Sequence, residues 1–315
     1  MRNGADLVLE LPLPFVLSDS DRFAAAGVAL AHATGLPCTM AFGSECGDTD
    51  ALSRLAALPE AELESRTRAH LAAGLSYGAA RQRALEELAP EDSKLLRNPN
   101  DLLGYGYLKA AIPLGLSYLA VRRETAHGGS PIGDIASGAY LRAHPEEIPH
   151  FCPEPLSGAL DVAAAQNGLL TLLKSRSAAE LAACANITEG LENRILSALN
   201  QVKTFDDLAD AIKTKRYSHA RLRRALIAGA LELPAELPLL PPPYLRALAF
   251  NRRGAALLKK MRSAAAIPVV QTGREAETAA PAFFAVEKRA TDLRNGWCLP
   301  PAPGGADYTR GAIII

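Results

Sequence analysis

The strongest constraint on the fold is an alternation of short apolar segments with segments of helical periodicity in the first half of the chain. Apolar runs at 6–12, 38–42 and 116–121 are each bounded by proline, glycine or charged residues, as buried strands are. The stretches between them, such as 19–33, carry apolar residues at helical spacing. Strands that alternate with helices favour a parallel sheet covered by helices on both faces. We therefore predict an α/β domain over residues 1–150.

The second half of the chain is rich in alanine and leucine and is interrupted by proline-rich connections. Its pattern predicts mostly helices, with two short strands at 244–250 and 267–271 around a helix at 252–265. The last residues, 308–315, end in three isoleucines and predict a strand packed into the same domain. We therefore predict a mainly helical domain over residues 151–315.

Charge and cysteine content exclude several classes of protein. Lys and Arg together number 34, as do Asp and Glu, so a uniformly basic nucleic-acid coat is excluded, although a local basic surface is not. The five cysteines are scattered without a C-x-x-C pair, which argues against a disulfide framework or a thiolate zinc site. Neither a signal peptide nor a membrane-spanning apolar stretch is visible. We expect a cytoplasmic protein with no membrane partner and no bound metal site.

Two predicted strands and a predicted helix of the first half carry residues suited to nucleotide chemistry. Gly43 follows a strand, where open α/β sheets bind ligands, and its lack of a side chain permits close approach of a ring or phosphate. Asn100 is predicted to cap a helix that runs to residue 111, with free N–H groups at a partly positive terminus. Arg122 and Arg123 end the third strand and carry permanently charged forks for phosphate oxygens.

The segment 135–142 adds a candidate anion site. Ser137 is predicted to begin a short helix that ends near His144, and its hydroxyl and the free N–H groups can hold an anion. Arg142 lies about one turn further along. Taken singly, each of these features is more often an ordinary turn, cap or solvated arginine. Their combination in one α/β domain favours a nucleotide site.

Segments in this order along nearly the whole chain resemble the bacterial tRNA(Met) cytidine acetate ligases, members of the nucleotidyltransferase superfamily with HxGH-type ATP sites. The segments that carry the resemblance are 4–12, 42–48, 99–105, Arg122, 135–142, 189–195 and 213–217. The resemblance implies a Rossmann-like nucleotidyltransferase domain that uses ATP, together with Mg²⁺, as a substrate. It also implies two steps, in which ATP and acetate form acetyl-adenylate and the acetyl group then passes to the wobble cytidine of elongator tRNA(Met).

The resemblance also implies which residues contact ATP. The family's ATP-contacting positions match Gly43, Asn100 and Arg122, and the next position falls at Arg123. The superfamily's second signature near the phosphates matches Ser137 and Arg142.

The chain departs from the family at its most characteristic motif. The six histidines form no HxGH pair, and the first strand and helix that carry that pair in the family are not found. Cys46 and Gly138 also replace the more usual Asn and hydroxyl residue. The catalytic residues therefore stay unassigned, and we expect this chain to be incomplete or inactive in adenylation.

The segment 202–262 is basic in an otherwise neutral chain, with thirteen Lys and Arg against five Asp and Glu. Basic residues interleaved with an aromatic residue favour phosphate contacts and base stacking on single-stranded RNA, such as an anticodon loop. The residues predicted to contact tRNA are Lys213, Lys215, Arg216, Tyr217, Arg221, Arg223 and Arg224. The simpler alternative is a solvated helix face whose charges serve solubility.

Two other functions remain open from the sequence. A small-molecule adenylyltransferase on the same fold would explain Gly43, Asn100 and Arg122 but would leave the basic second half without a role. A non-catalytic RNA-binding remnant would bind tRNA, with an affinity that falls steeply with salt, and would not bind ATP.

Overall fold

The structure, a computed structural model, describes residues 4–124, 129–152, 159–214 and 217–315. Within them the strands are β1 (Leu7–Leu9), β2 (Thr39–Ser44), β3 (Ser117–Arg122), β4 (Ala159–Leu160), β5 (Leu245–Phe250), β6 (Val269–Val270), β7 (Cys298–Leu299) and β8 (Ile313–Ile314). The helices are α1 (Leu13–Val16), α2 (Ser20–Ala33), α3 (Thr49–Ala56), α4 (Glu60–Ala72), α5 (Tyr77–Leu88), α6 (Pro99–Ala111), α7 (Gly138–Ala143), α8 (Ile148–Phe151), α9 (Val162–Lys174), α10 (Ala178–Ala182), α11 (Leu191–Leu199), α12 (Phe205–Ala211), α13 (His219–Leu231), α14 (Arg252–Ala264), α15 (Gly273–Ala279), α16 (Pro281–Gly296) and α17 (Ala306–Thr309). Among these described helices, none combines the length and the apolar character that crossing a bilayer requires.

The chain divides into two compact units. The terminal unit combines Met1–Cys38 with Leu160–Ile315, and the central unit is Thr39–Ala159. The sequence predicts a single boundary near residue 150, whereas the structure groups the first 38 residues with the C-terminal half. The physical reason is β1, whose backbone hydrogen bonds are satisfied by β5 of the terminal unit.

The central unit is built on two parallel strands with helices packed against them. Strands β2 and β3 pair in register from Thr39 opposite Ser117 to Ser44 opposite Arg122. Phe42 on one face is buried in a core with residues of α3 and α6. The close approach of α6 depends on Gly104, where an added Cβ would lie 2.4 Å from the Phe42 ring. These parallel strands with their helices confirm the predicted α/β class.

The opposite face of β2 and β3 differs from the sequence prediction. Leu119 and Val121 are each 51% exposed, so within the described residues helices cover one face of this strand pair and not both. An apolar run identifies a strand, but it does not specify what covers each face.

The terminal unit contains a second sheet and a helical region. Strand β5 pairs antiparallel with β1 and parallel with β6 and β8. The expectation that the strand at 6–12 joins the sheet of 38–42 and 116–121 is therefore wrong. Periodicity predicts that a segment is extended but does not choose its partner.

Helices α9 to α13 confirm the mainly helical character of the second half. They enclose a core of fully buried side chains, namely Leu173, Leu181, Ile195, Leu208, Leu222 and Leu226. At the C-terminus β8 is a strand as expected and its backbone pairs with β5, but Ile313 and Ile314 are exposed, the latter by 75%. The prediction that these isoleucines pack into the domain is wrong, because backbone pairing at a sheet edge does not bury the side chains.

Candidate nucleotide-binding site

The carboxyl ends of β2 and β3 bring together three of the residues singled out in the sequence. Gly43 lies opposite Val121, and the backbone N–H of Arg123 donates to the Ser44 carbonyl oxygen at 2.8 Å. A Cβ added to Gly43 would lie 3.5 Å from Cγ of Arg123. Gly43 near the end of β2, Arg122 as the last residue of β3 and Arg123 directly after it therefore lie at one edge, where open α/β sheets bind ligands.

The loop after β2 is shaped by a second glycine. Gly47 has a φ of +66°, and a Cβ there would lie 2.7 Å from Cβ of Arg122. Any larger residue would be both strained and in collision at this position. The loop ends at Asp48, whose side chain accepts a hydrogen bond from Ala51 N at 2.9 Å and caps α3.

Within the described residues, no carboxylate forms an ion pair with either of the two arginines, Arg122 and Arg123. Nε of Arg123 is buried among these residues without a hydrogen-bond partner. An unpaired buried donor costs on the order of 1–3 kcal/mol, more when it is charged. An anion with several acceptor oxygens, such as a phosphate group, would satisfy it.

Asp101 fixes the loop to α6. Its side chain is fully buried and accepts hydrogen bonds from Ser44 Oγ (2.5 Å), Glu45 N (2.9 Å), Cys46 N (3.2 Å) and Asn98 Nδ2 (2.9 Å). Burial acts to raise the pKa of this carboxyl, but the donated hydrogen bonds outweigh burial and hold its pKa below the ordinary value. Asp101 is therefore the acceptor that organises the loop.

Glu45 makes the reciprocal connection from the loop to the start of α6. Its carboxylate accepts from Asn100 Nδ2 at 2.6 Å, from Asn100 N at 3.4 Å and from Asp101 N at 3.0 Å. The helix begins at Pro99 with Asn98 as its N-cap, so the prediction that Asn100 caps this helix is wrong. Proline favours the first helical position because it lacks the N–H that would stay unpaired there.

Sequence reasoning did not single out Glu45 and Asp101 as site residues. A signal was present, since an acidic residue in the loop after a strand and another in the first turn of the next helix can each satisfy free N–H groups. The reciprocal pairing spans more than fifty residues, and only the folded chain shows it.

Ser137 and Arg142 are placed as a helix start and not as part of the same edge. Ser137 caps α7 by accepting from Tyr140 N at 3.1 Å, which confirms the predicted helix start. No hydrogen bond or ion pair between described residues joins Ser137 or Arg142 to the residues at the ends of β2 and β3. Their assignment to ATP stays a prediction.

One group of described side chains near α7 has the spacing of metal ligands. His144, Glu146 and Glu147 each offer an atom within 4.8 Å of the others. Glu147 already accepts a hydrogen bond from the Tyr140 hydroxyl at 2.7 Å, and Glu146 is exposed. Exposed acidic groups of this kind are ordinary surface features, and we assign no metal to them.

The predicted tRNA contacts between Lys213 and Arg224 form the basic strip of the terminal unit. This strip is described only in part, because Lys215 and Arg216 lie outside the described residues. Tyr217 is 7% exposed, its hydroxyl donates to Glu189, and the guanidinium of Arg221 lies over its ring at 4.2 Å. This ring packs in the helical core, and the contact of Tyr217 with tRNA stays a prediction.

The other described basic side chains of the strip have different surroundings. Lys213 is exposed and donates to the carbonyl oxygen of Tyr217, and Arg223 is paired with Asp206 at 2.5 Å. Nε of Arg224 is buried without a hydrogen-bond partner, and burial lowers the pKa of its guanidinium. Among the described residues, Arg223 is therefore ion-paired, whereas Lys213 and Arg224 form no ion pair.

Two parallel strands that end in a glycine loop, with arginines that form no ion pair among the described residues, are typical of the nucleotide-binding class of α/β proteins. Residues 1–300 match the family model described as HIGH Nucleotidyl Transferase. The chain belongs to this family of nucleotidyltransferases, within the tRNA(Met) cytidine acetate ligases.

Curated relatives support this placement. The tRNA(Met) cytidine acetate ligase of Clostridium kluyveri is 30% identical over 303 residues, covering 85% of this chain and 74% of the relative. That of Thermoanaerobacter sp. is 28% identical over 297 residues, covering 86% and 74%.

Solved structures share the fold. The apo crystal structure of Thermotoga maritima TmcAL (form I) has a TM-score of 0.89 at 23% identity, over 100% of this chain and 85% of that one. A second structure of the same protein, bound with alpha-thio ATP, has a TM-score of 0.86.

Proposed function

We propose that this protein is an ATP-dependent ligase that acetylates the wobble cytidine of elongator tRNA(Met), with acetate as the acyl donor. Family membership supports the reaction class, and the curated relatives are named tRNA(Met) cytidine acetate ligases. Such a tRNA substrate is met in the cytoplasm, where we propose that the protein acts.

In the first step, an acetate oxygen would attack the α-phosphorus of ATP while the bond to the bridging oxygen breaks and pyrophosphate leaves with the electron pair. In the second, the amino nitrogen of cytidine would attack the acetyl carbon, lose a proton and release AMP. Charge grows on the phosphate oxygens in the first step, so fixed cations aimed at them lower its barrier.

Magnesium would accompany ATP as part of the substrate. The carboxylates of Glu45 and Asp101 are occupied by N–H and O–H donors, so they do not fit the role of metal ligands. We therefore assign Mg²⁺ to the phosphate oxygens of ATP and route no step through a protein-bound ion.

One observation carries the proposal, namely that Arg122 and Arg123 lie near Gly43 at the carboxyl ends of parallel strands and form no ion pair with a described residue. Replacing Arg122 by Ala removes one charge-assisted contact, and we expect MgATP affinity to fall about tenfold or more. The measurement is calorimetric titration of MgATP into wild type and Arg122→Ala, with Lys94→Ala, a substitution of an exposed lysine in the same unit, as the control.

A parallel titration of tRNA into the wild-type protein separates the alternatives. Wild-type protein that binds tRNA but not MgATP would favour the RNA-binding remnant, and protein that binds MgATP but not tRNA would favour a small-molecule adenylyltransferase. Measuring the release of pyrophosphate from ATP in the presence of acetate then tests the expectation that this chain is inactive in adenylation.

A further inference from the structure

We propose that Glu45 is a positioning residue, which orients the Asn100 side-chain amide so that its carbonyl oxygen accepts a hydrogen bond from an N–H or O–H group of the bound nucleotide. The inference rests on the proposed function, because it requires a nucleotide at the ends of β2 and β3. It assigns Asn100 to recognition of the base or the ribose, and leaves the phosphates to the arginines.

The orientation of the amide follows from hydrogen-bond chemistry. The Asn100 amide contacts Glu45 Oε1 at 2.6 Å. A carboxylate only accepts hydrogen bonds, so the amide nitrogen must face it, since an amide oxygen there would place two acceptors together. Oδ1 of Asn100 consequently points away from Glu45.

Glu45 is itself held in place from two directions. Its carboxylate accepts from the backbone N–H of Asp101 at 3.0 Å, and its own backbone N–H donates to the buried Asp101 carboxylate at 2.9 Å. These reciprocal bonds fix both the backbone and the side chain of Glu45. The Asn100 amide is thus oriented by a rigid partner before any nucleotide arrives.

The outward oxygen is available to a ligand. No described residue donates a hydrogen bond to Oδ1 of Asn100, and the side chain is half-buried. The backbone N–H groups at this helix start are already taken by Glu45, whose negative charge disfavours a phosphate at the same place. The group that fits Oδ1 is therefore a donor.

ATP offers two kinds of donor, the 6-amino group of adenine and the ribose hydroxyls. Inosine triphosphate carries an oxygen in place of the amino group, and 2′-deoxy-ATP and 3′-deoxy-ATP each lack one hydroxyl. A site built around a fixed acceptor discriminates strongly against an analogue that lacks the matching donor, because the acceptor is then left unpaired.

The test compares dissociation constants of these four nucleotides for wild type, Glu45→Gln and Glu45→Ala. We expect wild type to prefer ATP over one of the analogues by about tenfold, which identifies the donor as base or ribose. Both variants should bind ATP more weakly and should bring that ratio close to one. Glu45→Gln keeps the size of the side chain but removes its exclusive acceptor character, so it is the variant that best preserves the loop.

The contrary outcomes are distinct. A variant that weakens all four nucleotides equally, with the wild-type ratio intact, would reduce Glu45 to a structural role and overturn the inference. Equal affinity of wild type for all four would overturn it as well. If wild type binds no nucleotide, the proposed function itself fails. Glu91→Gln, at an exposed glutamate of the same unit, is the control and should leave every constant unchanged.

Discussion

At the scale of single residues, a buried charge cluster in the terminal unit is expected to make stability depend on pH. Arg246 lies 2.5 Å from Asp307, 3.2 Å from Glu10 and 3.7 Å from Glu287, so one cation faces three carboxylates. The Tyr244 hydroxyl donates to Glu287 at 2.5 Å. Burial, followed by the charge of Glu10, raises the pKa of Glu287 to about 8.

This raised pKa predicts a loss of stability with rising pH. The folded protein holds a proton on Glu287 that the unfolded chain releases near its ordinary pKa of 4.5. The contribution is therefore complete below about pH 4.5 and is lost as pH rises to about 8, at up to about 1.4 kcal/mol per unit. Replacing Glu287 by Gln mimics the protonated form and should make the variant gain on wild type between pH 6 and pH 9. Urea unfolding at both pH values measures this gain, and parallel pH profiles would contradict it.

At the scale of elements, the packing of α6 against β2 depends on a glycine that helix propensity alone would replace. Alanine is favoured over glycine in a helix by about 1 kcal/mol. At Gly104, however, the added Cβ would lie 2.4 Å from the Phe42 ring, and this ring is buried and cannot move freely.

Opposite effects are therefore expected for two glycine-to-alanine changes in helices of the central unit. Gly104→Ala should lower the free energy of unfolding by about 1–2 kcal/mol, because overpacking outweighs propensity. Gly78→Ala, which meets nothing within 4 Å, should raise it by up to about 1 kcal/mol. Chemical denaturation of the two variants provides the comparison, and a stabilised Gly104→Ala protein would show that α6 is free to shift.

At the scale of the whole molecule, the balanced charge means that the proposed tRNA binding must depend on local cations. Binding through phosphates releases counterions, so the logarithm of affinity should fall linearly with the logarithm of salt concentration. Arg221 forms no ion pair within the described residues, whereas Arg223 is neutralised by Asp206. Arg221→Ala should therefore reduce the salt slope by about one, and Arg223→Ala by less. Filter binding at several salt concentrations measures the slopes, and a slope near zero for wild type would remove tRNA from the proposal.

Several elements could be predicted from the sequence because their signals are local. The helix at Ser20–Ala33, the strand at Thr39–Ser44 and the helix that Ser137 caps all follow from periodicity, breakers and capping residues over a few positions. The sequence also pointed to Gly43 near the end of β2 and to Arg122 and Arg123 at the end of β3, because residues at strand ends bind ligands in this class of fold.

What the sequence by itself determined is thus the α/β class, the helical second half, the family, and the end of the strand pair at which a nucleotide is proposed to bind. Only the tertiary structure decided that β1 joins β5, that Tyr217 is buried, and that Glu45 and Asp101 lock the loop to α6. The physical reason is the separation along the chain of the residues that take part in each interaction. Periodicity and capping act within one element, whereas strand partners, burial and reciprocal hydrogen bonds depend on residues brought together from distant parts of the chain.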